Sequence, residues 1–338
     1  MKAPPRLYPA SRDGKSGYID ATGELVIPLR FDRAARFADG LAAVAVEESR
    51  FFIDEAAEVA FSFPPVAEYV LPFSEAKALF CLHPSHGEGF GFLDRKGRVA
   101  IPAVYLNADY FSGGLAVVMV SGNNAEGKHG LIGHGGNMIV EPAYDCILGF
   151  AEHDDLTVFR LDGKYGVMDK AGHHVIESIL PGAKNVQEGI MGAQDANGKW
   201  GLLEPQRGFV VEPRFAEIVS NCHEGKIGVR NSEWMAGFID KEGRQVTGFE
   251  YSMVHWFSEG LAPVQVGGEW SAGDHARGGK MGVIDDHGNV VIPPTYDLIG
   301  PFVGGIAEVR VGDVAGEDDG IVRRGYIDRK GRVLWEPS

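Results

Sequence analysis

The sequence of 338 residues predicts an all-β repeat protein. Three observations carry that prediction: a glycine phrase that returns nine times, a second phrase alternating with it, and turn residues at fixed offsets within both. The first phrase is a glycine, two mostly apolar residues, an aspartate and a glycine three residues further on. Clear copies are Gly17-Tyr18-Ile19-Asp20 with Gly23, Gly91-Phe92-Leu93-Asp94 with Gly97, Gly237-Phe238-Ile239-Asp240 with Gly243, Gly282-Val283-Ile284-Asp285 with Gly288, and Gly325-Tyr326-Ile327-Asp328 with Gly331. Weaker copies begin at Gly130, Gly166 and Gly201, and a degenerate one surrounds Phe52-Ile53-Asp54. The second phrase runs from an aromatic through a turn into Gly-Leu-Ala-x-Val, as from Phe37 to Val44 and from Phe257 to Val264.

Each glycine phrase reads as a β-hairpin. Aromatic and β-branched residues flank a polar turn with no helical spacing, Asp20 can accept from backbone amides ahead of it, and Gly23 can take the left-handed conformation. Pro28, Pro102, Pro142, Pro213 and Pro293 fall where the hairpin's second strand should stop. The aromatic of Phe31-Asp32, Tyr144-Asp145, Phe215 and Tyr296-Asp297 is expected to open a third strand, with the Leu-Ala-x-Val phrase as the fourth. Four short strands in about 36–45 residues suit a propeller blade or a solenoid turn. The glycine hairpin occurs nine times and the Gly-Leu-Ala phrase at most eight. That odd half-unit predicts a terminal cap, hence an open, curved, solenoid-like array of tandem hairpins, with an eight-bladed β-propeller as the alternative. Residues 1–16 read as a lead-in, and residues 17–338 as one repeat domain of eight full units plus a half-unit.

Composition narrows the functional classes. Hydrophobic residues make up 44% of the chain and are spread evenly enough for a continuous core. No apolar run suits a signal peptide or a bilayer span, so a cytoplasmic location is expected. The three cysteines, Cys81, Cys146 and Cys222, are odd in number and widely spaced, which fits reduced thiols rather than a disulfide framework. A net charge of -15 repels phosphate backbones and anionic lipid, so neither nucleic acid nor a membrane is an expected partner.

The run Gly198-Lys199-Trp200-Gly201, echoed by Gly163-Lys164-Tyr165-Gly166 and Gly279-Lys280-Met281-Gly282 and interleaved with the Gly-Leu-Ala phrase, resembles the WG-repeat proteins of bacteria. The resemblance extends from about Gly17 to Pro337. Its naming tryptophan survives only at Trp200 and gives way to Tyr165, Met281, His129, Phe90, Ser16, Ala236 and Arg324 elsewhere. The resemblance implies an all-β scaffold used for interactions, and it brings no catalytic residues.

No residue constellation contradicts that. His83 and His86 stand three apart but lack a third ligand at a defined position, so a loop is the plainer reading and no metal is expected. Asp20, Asp94, Asp169, Asp240, Asp285 and Asp328 read as turn residues. No Walker loop, dinucleotide fingerprint or nucleophile triad is present, and no cofactor is implied. Extra residues gather after the Leu-Ala-x-Val phrase, at 121–128, 267–280 and 312–324, and insertions of one phase emerge on one edge of a repeat array. The candidate binding residues are therefore Glu269, Trp270, Asp274, His275 and Arg277 in one insertion, and Glu317, Asp318, Asp319, Arg323 and Arg324 in another. The expected function is a non-catalytic protein-binding scaffold, in one version an immunity or adaptor protein whose acidity suits a basic partner. Alternatives are a hydrolase or lyase with its site at the centre of a closed propeller, and a carbohydrate-binding module.

Overall fold

A computed structural model describes residues 6–121, 127–270, 276–312 and 323–338. Apart from a 3-10 turn at Pro84–His86, their regular structure is entirely β, and no helix is long and apolar enough to cross a membrane. Among the described residues nine antiparallel meanders of three or four strands succeed one another, and a two-stranded ladder stands within the eighth. The fourth sheet shows the plan with Asn107–Ala108, Leu115–Val120, Lys128–Gly133 and Met138–Tyr144. The eighth repeats it with Met253–Val254, Leu261–Val266, Lys280–Asp285 and Val290–Tyr296. In these sheets the Gly-Leu-Ala phrase supplies the second strand and the glycine phrase the third.

The second and third strands carry three consecutive buried residues, because both faces of a sheet are covered by its neighbours. One core layer joins Leu79, Phe92 and Ile101 of the third sheet to Phe111, Val118 and Ile132 of the fourth. Burying one such phenylalanine contributes about 1.5–3 kcal/mol, so each interface is held mainly by apolar contact.

The leading glycine answers to crowding. A Cβ placed on Gly130 or Gly282 would stand 2.5 Å from the carbonyl oxygen of Val140 or Ile292 on the fourth strand. That strand approaches so closely because it bulges: His129 pairs with Tyr144 while Leu131 pairs with Val140, leaving extra residues around Pro142. The prolines are thus interior to the fourth strand, as Pro142 is within Met138–Tyr144, and do not end it. The following aromatic closes the same strand rather than opening another. Where phenylalanine replaces the glycine, at Phe51, pairing stays regular through Phe51–Ser62 and Phe52–Phe61.

The turns form as the sequence predicts. Asp285 accepts from the N–H groups of His287 and Asn289 at 2.9 and 2.8 Å, and Gly288 follows at φ 84°. Hydrogen bonds from the Asn289 side chain and backbone hold the Asp285 carboxyl below its ordinary value. At the opposite end of the strands, Asp32 takes the Lys15 ammonium at 2.5 Å and the Glu47 N–H at 2.6 Å. Asp297 does the same with Lys280 and the Gly312 N–H, tying one sheet to the next.

The chain divides into two compact units, one of Met1–Pro9, Gly14–Tyr18 and Leu25–Val186, the other of Ala10–Asp13, Ile19–Glu24 and Gln187–Ser338. The second unit therefore contains parts of the first hairpin, and these overturn the open array. In neighbouring sheets the turn glycine of one packs on the fourth strand of the sheet before it, as Gly331 does on Ile292 and Gly172 on Val140. Gly23 of the first sheet makes the same contact with Leu334 of the ninth. The Trp335 indole donates to the Ser11 carbonyl at 3.1 Å, and the Arg12 guanidinium lies 4.3 Å from the centre of the Trp335 ring system. The fold class is the β-propeller, with nine sheets instead of the eight of the sequence-based alternative. The odd half-unit has a simple origin: Tyr8–Arg12 pairs with Lys15–Ile19 in the first sheet without spelling the Gly-Leu-Ala phrase.

Candidate functional site

In a four-stranded meander the first and third connections share one end, and the second and fourth share the other. At the first end, the connection between first and second strands usually carries an acid at positive φ. Asp39, Glu75, Glu188, Glu224 and Glu259 lie at φ 49–55° there, a strained setting for non-glycine residues. What offsets the strain is a latch to the next sheet. Asp39 accepts from the Ala76 N–H, Glu75 from Gly114, Glu224 from Gly260, and Glu259 from both Gly304 and Gly305 at 2.5 and 2.9 Å. A basic residue of the next sheet's Asp turn often completes it, as Arg329 donates to the Glu259 carbonyl at 2.7 Å and Lys241 to that of Glu188 at 2.8 Å.

Between the fourth and fifth sheets the latch has no acid. Its position is held by Gly113 at φ 63°, followed by Gly114 at φ 87°. The facing connection, from Phe150 to Leu156, is longer than its equivalents, and the local cation Lys170 is bound to Asp155 at 2.7 Å. A groove of about 190 Å³ opens there. Val117 and Leu131 form its buried floor, while Asp109, Tyr110, Leu148 and Phe150 form its walls. Tyr110 and Leu148 are 46% and 41% exposed, so an aromatic and an aliphatic side chain face solvent across one cleft.

Asp109 is the charged group of this groove. It keeps substantial surface, yet crowding by its neighbours raises its carboxyl above the ordinary value, partly opposed by the charge of His129. Among the described residues no hydrogen bond or ion pair engages the Asp109 carboxylate. His129, which borders a small cleft beside it, has a buried Nδ1 without a hydrogen-bond partner. Burial, with the Asp109 charge adding to it, pushes the neighbouring Cys146 thiol up as well, so this sulfur is not an activated nucleophile. Apolar walls and one carboxylate without a hydrogen bond form a place to hold something.

The residues proposed from sequence lie elsewhere, at the second connections. Glu269–Trp270 and Ala276–Arg277 pair as a small ladder in the insertion of the eighth sheet, Glu269 opposite Arg277. Arg323 and Arg324 open the third strand of the ninth sheet and are exposed. Asp274, His275, Glu317, Asp318 and Asp319 lie outside the described residues. His83 and His86 stand with ring centres 6.5 Å apart, His83 bonded to Ser85. Sequence reasoning passed over Asp109, Tyr110 and Leu148. The available signal was Gly113, a glycine where the second phrase carries an acid at Asp39, Glu188, Glu224 and Glu259, although Gly304 shares the substitution.

Fold and site together define a β-propeller repeat protein with a solvent-facing groove between adjacent sheets. The profile of the family described as WG containing repeat matches residues 17–48, 90–123, 130–165, 237–270 and 281–314, half of the sequence, and the chain belongs to that family. No curated protein sequence matches it. Among solved structures, the computationally designed Ika8 protein is similar at 11% identity and TM-score 0.49, over 89% of this chain and 93% of that one. Hsv2 of Kluyveromyces lactis is similar at 11% identity and TM-score 0.38, over 86% and 96%. The propeller class rests on the chain's own strand order.

Proposed function

We propose that the protein is a non-catalytic protein-binding scaffold whose binding surface is the groove between the fourth and fifth sheets. The observation that carries this reading is the exposed pair Tyr110 and Leu148 over an apolar floor, at a junction where the inter-sheet latch is missing. Aromatic side chains at the rim of such clefts are frequent anchors in protein interfaces. The net charge of -15 favours a basic partner by steering, which fits an immunity or adaptor role. Free thiols at Cys81, Cys146 and Cys222 suit a reducing cytoplasm.

A photo-crosslinking residue placed at position 148 of the full chain tests the reading in the native cell. Adducts with another protein are expected from position 148 and not from the exposed control position 59 on the second sheet. Gly113→Glu, which refills the latch position, should weaken them. Adducts from position 277 alone would move the binding surface to the inserted connections.

A further inference from the structure

The geometry points to an arginine side chain of a protein partner as the group that the groove receives, its stem between Tyr110 and Leu148 and its guanidinium on Asp109. This deepens the docking reading above and rests on it. Size comes first. A space of about 190 Å³ is below the range of roughly 300–1,000 Å³ usual for cofactor-sized ligands, and suits one long side chain.

Charge comes second. Asp109 is the carboxylate at the groove wall, and among the described residues no cation forms an ion pair or hydrogen bond with it: His129 acts on it through its charge alone, and Lys170 is held by Asp155 at 2.7 Å and lies 5.7 Å from the Phe150 ring centre. Other acids on this end of the sheets are engaged, Glu75 and Asp39 by backbone N–H groups and Asp155 by Lys170. A carboxylate left without a donor beside an apolar floor gains most from a charge-assisted bond supplied from outside.

Shape separates arginine from lysine. A planar guanidinium can pair with a carboxylate through two parallel N–H bonds while its face lies on a ring such as that of Tyr110, whereas an ammonium is a hydrated point charge. The exposed Leu148 covers the methylene stem from the other wall, the arrangement in which long cationic side chains bury their carbon atoms.

The test uses the full chain and three probes, acetyl-Gly-Arg-Gly-amide and its lysine and citrulline counterparts, followed by NMR of labelled tyrosine and leucine. Saturable shifts at Tyr110 and Leu148 are expected with the arginine peptide, with citrulline at least about tenfold weaker because it keeps the shape and loses the charge. Asp109→Asn should remove the preference for arginine over citrulline, and Tyr110→Leu should remove that for arginine over lysine. Equal binding of arginine and citrulline peptides, shifts confined to other sheets, or no binding at millimolar peptide would overturn the proposal. If crosslinks from position 148 persist unchanged in Asp109→Asn, the arginine assignment falls while the docking reading stands. If those crosslinks never form but the peptide preference holds, the reverse is true.

Discussion

The junctions between sheets eight and nine and between sheets four and five are built from the same strands and close in opposite ways. At the former, Glu259 accepts two backbone N–H groups and Arg329 returns a bond to its carbonyl. At the latter, Gly113 offers no acceptor and the groove of Tyr110 and Leu148 remains. The apolar layers beneath are equivalent, since Phe302 and Phe150 are both buried at corresponding places. The contrast teaches that a repeat protein can create a site by omission, because cohesion resides in the strands and the end connections are free to vary.

The largest expected effect tests that equivalence. Gly130→Val and Gly282→Val each force a branched side chain against a carbonyl at 2.5 Å, and each should lose about 2–3 kcal/mol in denaturant unfolding. A large difference between the two would mean that the cores themselves differ. Next, Glu259→Gly converts a latched junction into an unlatched one. It removes an acceptor shared by two N–H groups, relieves the strain at φ 55°, and should cost about 1–2 kcal/mol by the same measurement. An unchanged midpoint would deny the latch any role in stability.

The converse substitution sharpens the comparison from the other side. At Gly113 an added Cβ meets first the flexible end of Lys170 at 3.1 Å, so Gly113→Glu should fold, with the loss of about 1–2 kcal/mol that a non-glycine residue costs in the left-handed region. Its carboxylate would draw on Lys170 and narrow the groove, and partner affinity should drop about tenfold in titration. Wild-type affinity in this variant would place recognition elsewhere.

The smallest effect concerns pH. The Asp109 carboxyl is raised in the folded protein, so its ionisation opposes folding. The cost is absent well below 3.8, appears as pH rises through that value and is complete above the raised one. Asp109→Asn should therefore be slightly more stable than the parent at pH 7 and equal to it in acid. Asp285 titrates in the other direction: its lowered carboxyl stabilises above 3.8, and that contribution is lost as pH falls through and below 3.8. Asp285→Ala should accordingly be less stable at pH 7, with the gap shrinking in acid. Thermal melts across pH 3–7 distinguish the two signs.

Much of this architecture was legible in residues that act locally. Asp285 and Gly288 specify their turn within four positions, and the alternation of Gly-Leu-Ala with Gly-x-Ile-Asp specifies paired strands. What acts across distance was not legible. Pro142 looks like a strand terminator until the bulge opposite Gly130 is seen, and Tyr8–Arg12 carries no repeat phrase although it completes a sheet. The count of nine glycine phrases against eight Gly-Leu-Ala phrases points to an open array, whereas closure depends on Gly23 against Leu334, a contact no periodicity encodes. The groove was hidden for a related reason. An absent acid at Gly113 has meaning only once its counterparts are known to bond to the next sheet.

The bond from Trp335 to Ser11 joins residues 324 apart in sequence. During synthesis, the Gly23 turn and the Ser11 carbonyl therefore wait with one flank uncovered until residues 334 and 335 have left the ribosome. Every shorter nascent chain presents the same unfilled edge, and it is residues 334 and 335 that remove it.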